Sequence, residues 1–554
     1  MLNKSIAKNT DPSYTFFHME FDKLPPHGET LLNDTRTTIL EVSDTDLVRL
    51  ANAAFSRISF TLTREHLDSI AAIVRNDHAS RNDRLVASYM IRNACIAAEG
   101  TLPLCQDTGT AQIFAWKDTR VRSSGSDREA LTRGVETVWH EKNLRYSTVV
   151  PDSFFTEHDA GTNLPPQILI QDAGIPADKP AYRFLFCAKG GGSSNKTAFF
   201  QETKALLNPA SFSAFLRREI AALGTAACPP YTIAVVAGGL SPEQNLLALK
   251  LATTGYFNQR VPGFDYQVLG SLPQRDRELE SLVMEIAAET GLGAQFGGTA
   301  LATGAVVLRL PRHGASFPVS IGVSCSAHRN LHAMITADGI FLEKTVADPA
   351  SIPEYAEAAR WYEKESGQSA IVRLDDGIPA VLASLADHEP GTPLLLSGKL
   401  ILARDAAHAR WKALLDRGEE LPSYATRYAI MYAGPAKKPK HACSGSLGPT
   451  TAGRMDSYAD DLMSRGAALV TIAKGNRSAA WTDACRKYGA VYLGLPGGVA
   501  ALIADQYITS SEVLDYDDLG MEAVRLVTVK NLPAFLVTTA RGEDFYRILG
   551  EKHT

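Results

Sequence analysis

The chain has 554 residues, 45% of them apolar and 21% charged, and a formal net charge of −5. That length suggests two to four domains, and the apolar fraction is enough for large cores. The acidic balance argues against a general nucleic-acid binder, which needs a basic surface, while leaving room for small anions held by a local Arg/Lys cluster.

The first twenty residues lack the apolar core of a signal peptide and are not Arg-rich like a transit peptide. No apolar run reaches membrane-spanning length. A cytoplasmic, reducing compartment without membrane attachment is the expectation. Residues 1–40 read as a weakly patterned N-terminal extension. From Asp44 to Gly100 the pattern is helical: Leu47, Leu50, Ala51, Ala54 and Phe55 recur every three to four residues, as do Ile70, Ile73 and Val74. Residues 182–188, 232–237, 305–310 and 319–323 read as short buried strands that end in Gly, Pro or polar turns, where functional groups collect. A helix is expected over 198–207, after a Gly-rich loop.

Composition shifts at the charged, helix-like stretch 354–368, and a domain boundary is expected near residue 370. Beyond it, 394–396 and 400–402 read as two strands across a Ser397-Gly398-Lys399 turn. A helix begins near Asp405, a good N-cap. A helix over 451–464, a strand over 468–473 and a helix over 478–488 follow.

Seven cysteines, an odd number in a long chain without Cys-x-x-Cys, argue against a secreted disulfide framework. Cys95, Cys187 and Cys485 lie in apolar or helical stretches and read as small buried hydrophobes. Cys105, Cys228 and Cys325 each sit among turn-forming residues: Leu104-Cys105-Gln106-Asp107-Thr108-Gly109, Thr225-Ala226-Ala227-Cys228-Pro229-Pro230 and Gly322-Val323-Ser324-Cys325-Ser326. They read either as three further buried thiols or as a shared metal site. Three thiolates assembled by folding can hold an iron–sulfur cluster and leave one iron open as a Lewis acid. His328 and His332 have zinc spacing, but Arg329 stands where a zinc-protease helix needs Glu.

Lys189-Gly190-Gly191-Gly192-Ser193-Ser194-Asn195-Lys196-Thr197 resembles a phosphate-binding loop with Asn195 in place of its second glycine, and no Walker B strand accompanies it. It reads as a nucleotide loop, as a plain turn, or as backbone N–H groups that receive a carboxylate. His313, in a Pro/Gly turn after a strand, suits carboxylate binding or proton transfer. In Ser444-Gly445-Ser446-Leu447-Gly448-Pro449-Thr450-Thr451-Ala452-Gly453-Arg454, Thr450 is the expected N-cap with Arg454 one turn inside, a pairing that favours developing negative charge. Arg145, Arg404 and Lys474 read singly as solvated charges and jointly as a dicarboxylate clamp.

Taken together and in order, segments 105–110, 143–147, 161–165, 188–197, 224–230, 291–298, 310–315, 322–326, 398–405, 432–437, 444–456 and 473–478 resemble the class I, iron–sulfur-dependent fumarate hydratases. The resemblance runs from about residue 40 to the C-terminus. It implies reversible hydration of fumarate to (S)-malate by a hydro-lyase. It also implies one [4Fe–4S] cluster per chain held by Cys105, Cys228 and Cys325, whose open iron binds the hydroxyl and one carboxylate of malate. Thr450 would be the base at C3 and Asp107 the acid at the leaving hydroxyl. Gln106, Arg145, Gly192, Arg404, Arg454 and Lys474 would hold the carboxylates, with His313 nearby. The implied fold is mixed α/β in two domains, a cluster-binding domain of helices and sheet over 41–370 and a swivelling-type α/β domain over 371–554, in a homodimer. Competing readings are a hydratase of mesaconate or tartrate, a cluster-based sensor, and a nucleotide-binding ATPase resting on the Gly-rich loop alone.

Overall fold

The computed structural model describes residues 21–24, 39–173, 179–257, 274–365, 367 and 369–553. Most of the expected extension, 1–40, lies outside the described residues. The fold is mixed α/β, built on three main sheets.

The first helix shows how the sequence starts the fold. Ser43 caps Asp44–Phe60: its hydroxyl accepts from the Asp46 amide at 3.1 Å, and its own amide donates to the Asp46 carboxylate at 3.3 Å. This capping box satisfies two orphan donors. The expected stripe of Leu47, Leu50, Ala51, Ala54 and Phe55 is buried. It packs on a six-stranded sheet whose order is Phe21–Lys23, Gly339–Glu343, Asn330–Thr336, Tyr182–Lys189, Thr110–Lys117, Gln167–Asp172. Phe55 meets Trp139 and Phe186 edge-on at 5.4 and 5.5 Å. Tyr182–Lys189 is buried at every residue, as a central strand covered on both faces must be.

The second sheet runs Gln274–Arg275, Ala302–Arg312, Tyr231–Gly239, Phe317–Ser324, Ala198–Glu202. Phe114, Trp116 and Leu185 of the first sheet share one core with Val236, Val306 and Leu308 of the second and with the helix Pro242–Ala252. Each large side chain so buried contributes roughly 1.5–3 kcal/mol.

Among the described residues, every strand from Ala370 onward belongs to the third sheet. Its order is Ala370–Arg373, Pro393–Leu402, Ala429–Met431, Val470–Ala473, Val491–Gly494, Val524–Thr538, Ile508–Asp515. A further pairing of Val524–Thr538 with Pro393–Leu402 closes five of these strands into a ring. The largest core is continuous from the helices Arg64–Arg75 and Arg81–Ala97 through the second sheet into this ring. At its centre Phe296 stacks on Phe535, with ring centroids 4.0 Å apart.

Several local expectations change. Residues 198–202 form a strand, antiparallel to Phe317–Ile321, not the start of a helix. The helical turn closes earlier, at Gly191–Ser194, and Phe199 and Phe200 then supply strand-forming side chains on a sheet edge. Pro393–Leu402 is one strand rather than two. Gly398, at φ +122°, absorbs a register shift against Val524–Thr538, and a Cβ there would meet the Asp375 backbone nitrogen at 2.9 Å. The expected helix over 451–464 is a 3-10 turn, Ala452–Tyr458, that passes into the short α-helix Ala459–Met463. Thr451, not Thr450, occupies its N-cap position, and Arg404 rather than Asp405 precedes the helix Asp405–Asp416. His332 lies on a strand and His328 in a turn at φ +37°, so the two do not share a helix face.

Candidate active site

The three loop cysteines reach one place by different routes. Cys228 precedes Tyr231–Gly239 and Cys325 follows Phe317–Ser324. These strands are antiparallel neighbours with Thr232 opposite Ser324, so the two loops emerge side by side. The Ser326 amide donates to the Cys228 carbonyl at 3.1 Å. Cys228 itself adopts φ +63°, the left-handed region that costs a side-chain-bearing residue energy. The Cys105 loop is fixed by Asn93, whose amide donates to the Leu104 carbonyl at 3.0 Å and whose oxygen accepts from the Leu502 amide at 3.0 Å.

Cys228 feels both other thiols, and Cys105 feels Cys325. Burial pushes the Cys228 thiol up to about 11; Lys474 opposes this, while Cys325 and Cys105 add to it. Burial also raises Cys105, against the pull of Arg329 and Lys474. At Cys325 burial works the same way but is outweighed by Arg329, a Ser193 side-chain hydrogen bond and Lys189, so that thiol falls below its ordinary value. Lys474 Nζ donates to Cys228 Sγ at 2.8 Å. Backbone crowds this spot: a Cβ on Gly497 would lie 2.3 Å from Cys228 Sγ. Among the described residues, no three His, Cys, Asp or Glu side chains surround a single metal-ion position. Thiols that each take a different corner of a cluster need not converge on one point.

Asp107 lies beside the thiols. Its carboxylate pairs with Arg145 at 3.1 Å and accepts from the Gly191 amide at 2.9 Å and the Gly109 amide at 3.2 Å. Burial alone would raise its pKa, but Arg145, Arg329 and the Gly191 amide hold it below the usual carboxylate value. Gly192 is in the same turn, where a Cβ would rest 3.5 Å from the Ala227 Cα. Gln106 reaches across to the third sheet and donates to the Pro449 carbonyl at 3.2 Å, next to Thr450.

Thr450 is held by its backbone and aimed by its partner. Its amide donates to the Tyr432 carbonyl at 2.7 Å, and its carbonyl accepts from the Lys474 amide at 3.2 Å. Its hydroxyl accepts from Arg454 NH2 at 2.7 Å, and the same guanidinium pairs with Asp405 at 2.9 Å. Arg404 is buried against Glu522 at 2.9 Å. Burial and the nearby Arg145 and Arg454 lower its pKa, while Glu522 counters them. Three guanidiniums, two from the third-sheet region and one from the loop after the helix Asp127–Glu141, therefore share one region.

His313 is apart from this group in the chain. Cys228 and His313 lie beyond opposite ends of the nine-residue strand Tyr231–Gly239, since Tyr231 pairs with Ala302 and Gly239 with Arg312. That separates them by about 25 Å along the strands. The other expected site residues are brought together.

Arg329, which in the sequence only spoils a zinc motif, belongs to the site. It is 5% exposed and acts on Cys105, Asp107 and Cys325. An arginine four residues after a loop cysteine, in an otherwise weakly charged run, is the signal that marks it. Behind the site, Asp456 accepts from Arg477 Nε at 2.7 Å and from the Ser478 amide at 2.6 Å, tying the Thr450 and Lys474 segments together. Asn476 accepts from the Thr225 amide at 3.1 Å, joining the Lys474 loop to the Cys228 loop.

Two family models match the chain in succession. Residues 48–334 match the family model described as fumarate hydratase (fumerase), and residues 339–549 match the fumarase C-terminus model. The chain is 46% identical over 513 residues to "Fumarate hydratase class I, aerobic" of Escherichia coli K12, covering 92% of this chain and 91% of that protein. It is 46% identical over 519 residues to the anaerobic class I enzyme of the same organism, covering 93% and 92%. It is 44% identical over 512 residues to "Fumarate hydratase 1, mitochondrial" of Leishmania major, covering 92% and 91%.

Proposed function

Because the chain belongs to the class I fumarate hydratase family and is a hydro-lyase by that membership, we propose that it catalyses the reversible hydration of fumarate to (S)-malate. The observation that carries this reading is the meeting of Thr450, aimed by Arg454, with the thiols of Cys105, Cys228 and Cys325 through Lys474.

The donor set fits a [4Fe–4S] cluster. Three buried thiols from separate loops influence one another electrostatically, and Lys474, Arg329 and Lys189 offset their negative charge. Backbone without side chains at Gly497 and Gly192 leaves room beside them. Cys105, Cys228 and Cys325 would hold the cluster, and when bound it supplies an open iron as Lewis acid for the substrate hydroxyl and carboxylate.

The chain's own groups do the rest. Arg145, Arg404 and Arg454 grip the carboxylates, where guanidinium forks match carboxylate geometry. Gln106, Gly192 and Lys474 complete the cradle. In dehydration Thr450 Oγ1 takes the C3 proton. A threonine hydroxyl is a weak base, and the Arg454 hydrogen bond favours its deprotonated form. The same cations stabilise the charge that spreads into the adjacent carboxylate. Asp107, held ionised by Arg145 and Arg329, accepts the proton of the attacking water in hydration and returns it to the leaving hydroxyl in the reverse direction. Within one chain His313 lies at the far end of its sheet from this group.

The domain reading joins this picture: 41–370 as the thiol-bearing domain and 371–554 as the domain that brings Arg404, Thr450, Arg454 and Lys474. The proposed assembly is a homodimer. Among the described residues no helix is long and apolar enough to cross a membrane. The test is fumarate turnover compared with mesaconate and tartrate turnover by protein purified without oxygen. Preference for fumarate supports the assignment, and preference for either of the others overturns it.

A further inference from the structure

The start of the Gly-rich loop borders a second cavity. Lys189, which opens the loop, acts on Cys325 and reaches into the second sheet. It is 6% exposed, and its ammonium has one hydrogen-bond partner, the Ser324 hydroxyl at 3.2 Å. Lys250, on the helix Pro242–Ala252, is half-buried, and its ammonium has no hydrogen-bond or ion-pair partner among the described residues. The two lysines repel one another, and no carboxylate features among the charges acting on either. Both line a cavity of about 140 Å³ that also presents Ser193, Ser194, Thr197 and Thr253. Lys250 and Leu246 form its boundary with an outer cleft of about 530 Å³, which supplies a way in. Glu243 stands on that cleft, with its carboxylate engaged by Ser241 and its own backbone amide at the helix start.

Lys189 already serves the Cys325 thiol, whereas Lys250 is a desolvated cation without a carboxylate partner, which is costly unless a charge is supplied. Two neighbouring ammonium groups, with the hydroxyls of Ser194 and Thr197 on the same cavity wall, supply what a tetrahedral oxyanion needs. A water takes about 30 Å³ in the liquid, so the cavity has room for such an ion. The geometry points to an anion site, separate from the fumarate clamp, that takes inorganic phosphate or a phosphate-like dianion between Lys189 and Lys250.

The test is calorimetric titration of sodium phosphate, at constant ionic strength, into the oxygen-free purified protein and three variants. The expected result is one saturable site per chain in the parent protein, weakened at least about tenfold in Lys250→Met and retained in Lys250→Arg, as loss of a charge-assisted contact requires. Arg404→Met, which cripples the carboxylate clamp, keeps the site. Lys250→Met keeps its circular dichroism and its fumarate turnover in phosphate-free buffer. Absence of saturable phosphate binding in the parent protein overturns the inference. So does binding that survives Lys250→Met but is lost in Arg404→Met, which would place the anion in the clamp.

Discussion

The Arg454–Thr450 contact carries a definite energetic consequence. Arg454 NH2 stands 2.7 Å from the Thr450 hydroxyl and 2.9 Å from Asp405. A hydrogen bond to a charged group contributes about 1.5–3 kcal/mol, and the contribution grows as the acceptor gains negative charge. At about 1.4 kcal/mol per tenfold in rate, Arg454→Met should lower kcat for malate dehydration by roughly 10- to 150-fold. Thr450→Ala removes the proposed proton acceptor and should cost roughly 10²–10⁴, while Thr450→Ser should keep most of the rate. The two groups act as a unit, so Thr450→Ala with Arg454→Met should be far less impaired than the product of the single effects. The assay is the ultraviolet absorbance of fumarate, with a second readout in C3-deuterated malate. Thr450→Ser should keep a primary isotope effect, and the Thr450→Ala protein should lose exchange of the C3 proton with solvent. Full kcat in Thr450→Ala, or effects that simply multiply in the double variant, would refute the reasoning.

Other outcomes follow from single contacts. Gly497→Ala should leave the fold intact by circular dichroism yet yield protein with less bound iron and sulfide, because its Cβ would fall 2.3 Å from Cys228 Sγ. Phe296→Ala should lower stability by about 3–5 kcal/mol in denaturant unfolding, since a ring 2% exposed and stacked on Phe535 would leave a cavity between the thiol-bearing region and the third sheet. Burial pushes the Glu343 carboxyl up to about 7 despite the His332 amide, which donates to it at 2.9 Å. The folded state therefore holds this proton where the unfolded chain has lost it, so stability is fully present below about pH 4.3 and declines as pH rises towards 7. Glu343→Gln should flatten that slope and raise stability at pH 8 by about 1–3 kcal/mol, read from urea midpoints across pH.

Much of this site is visible in the chain because its chemistry needs unusual local sequence. Loop cysteines among Gly, Pro and Thr read either as buried thiols or as a shared metal site, and the fold brings Cys105 and Cys325 near enough to Cys228 for their charges to act on it. The Asp44–Phe60 helix was equally legible, since its apolar spacing and Ser43 cap agree. Where local and long-range demands conflict, the reading fails. Residues 198–202 follow a Gly-rich loop that reads as a helix start, but Phe199 and Phe200 suit a strand and pairing with Phe317–Ile321 decides for it. Gly398 looks like a turn residue, whereas its φ of +122° serves a bulge within a continuous strand. Thr450 looks like an N-cap, but bonds to Tyr432 and Lys474 set the backbone one residue differently. Arg329 was hidden because its partners, Cys105 and Asp107, are more than 200 residues away in sequence. His313 stands in a Pro/Gly turn that suits a site, and within one chain it lies at the far end of its sheet from the thiols.

The central claim is that three thiols from three loops serve one hydratase site. It is tested most directly by measuring fumarate turnover alongside bound iron and sulfide in protein purified without oxygen, reconstituted, and then exposed to air, with Cys105→Ser, Cys228→Ser and Cys325→Ser in parallel. The account predicts that activity and iron content fall together on exposure and that each cysteine variant loses both. Turnover that persists after the iron is gone, or in any one of the three variants, would contradict it.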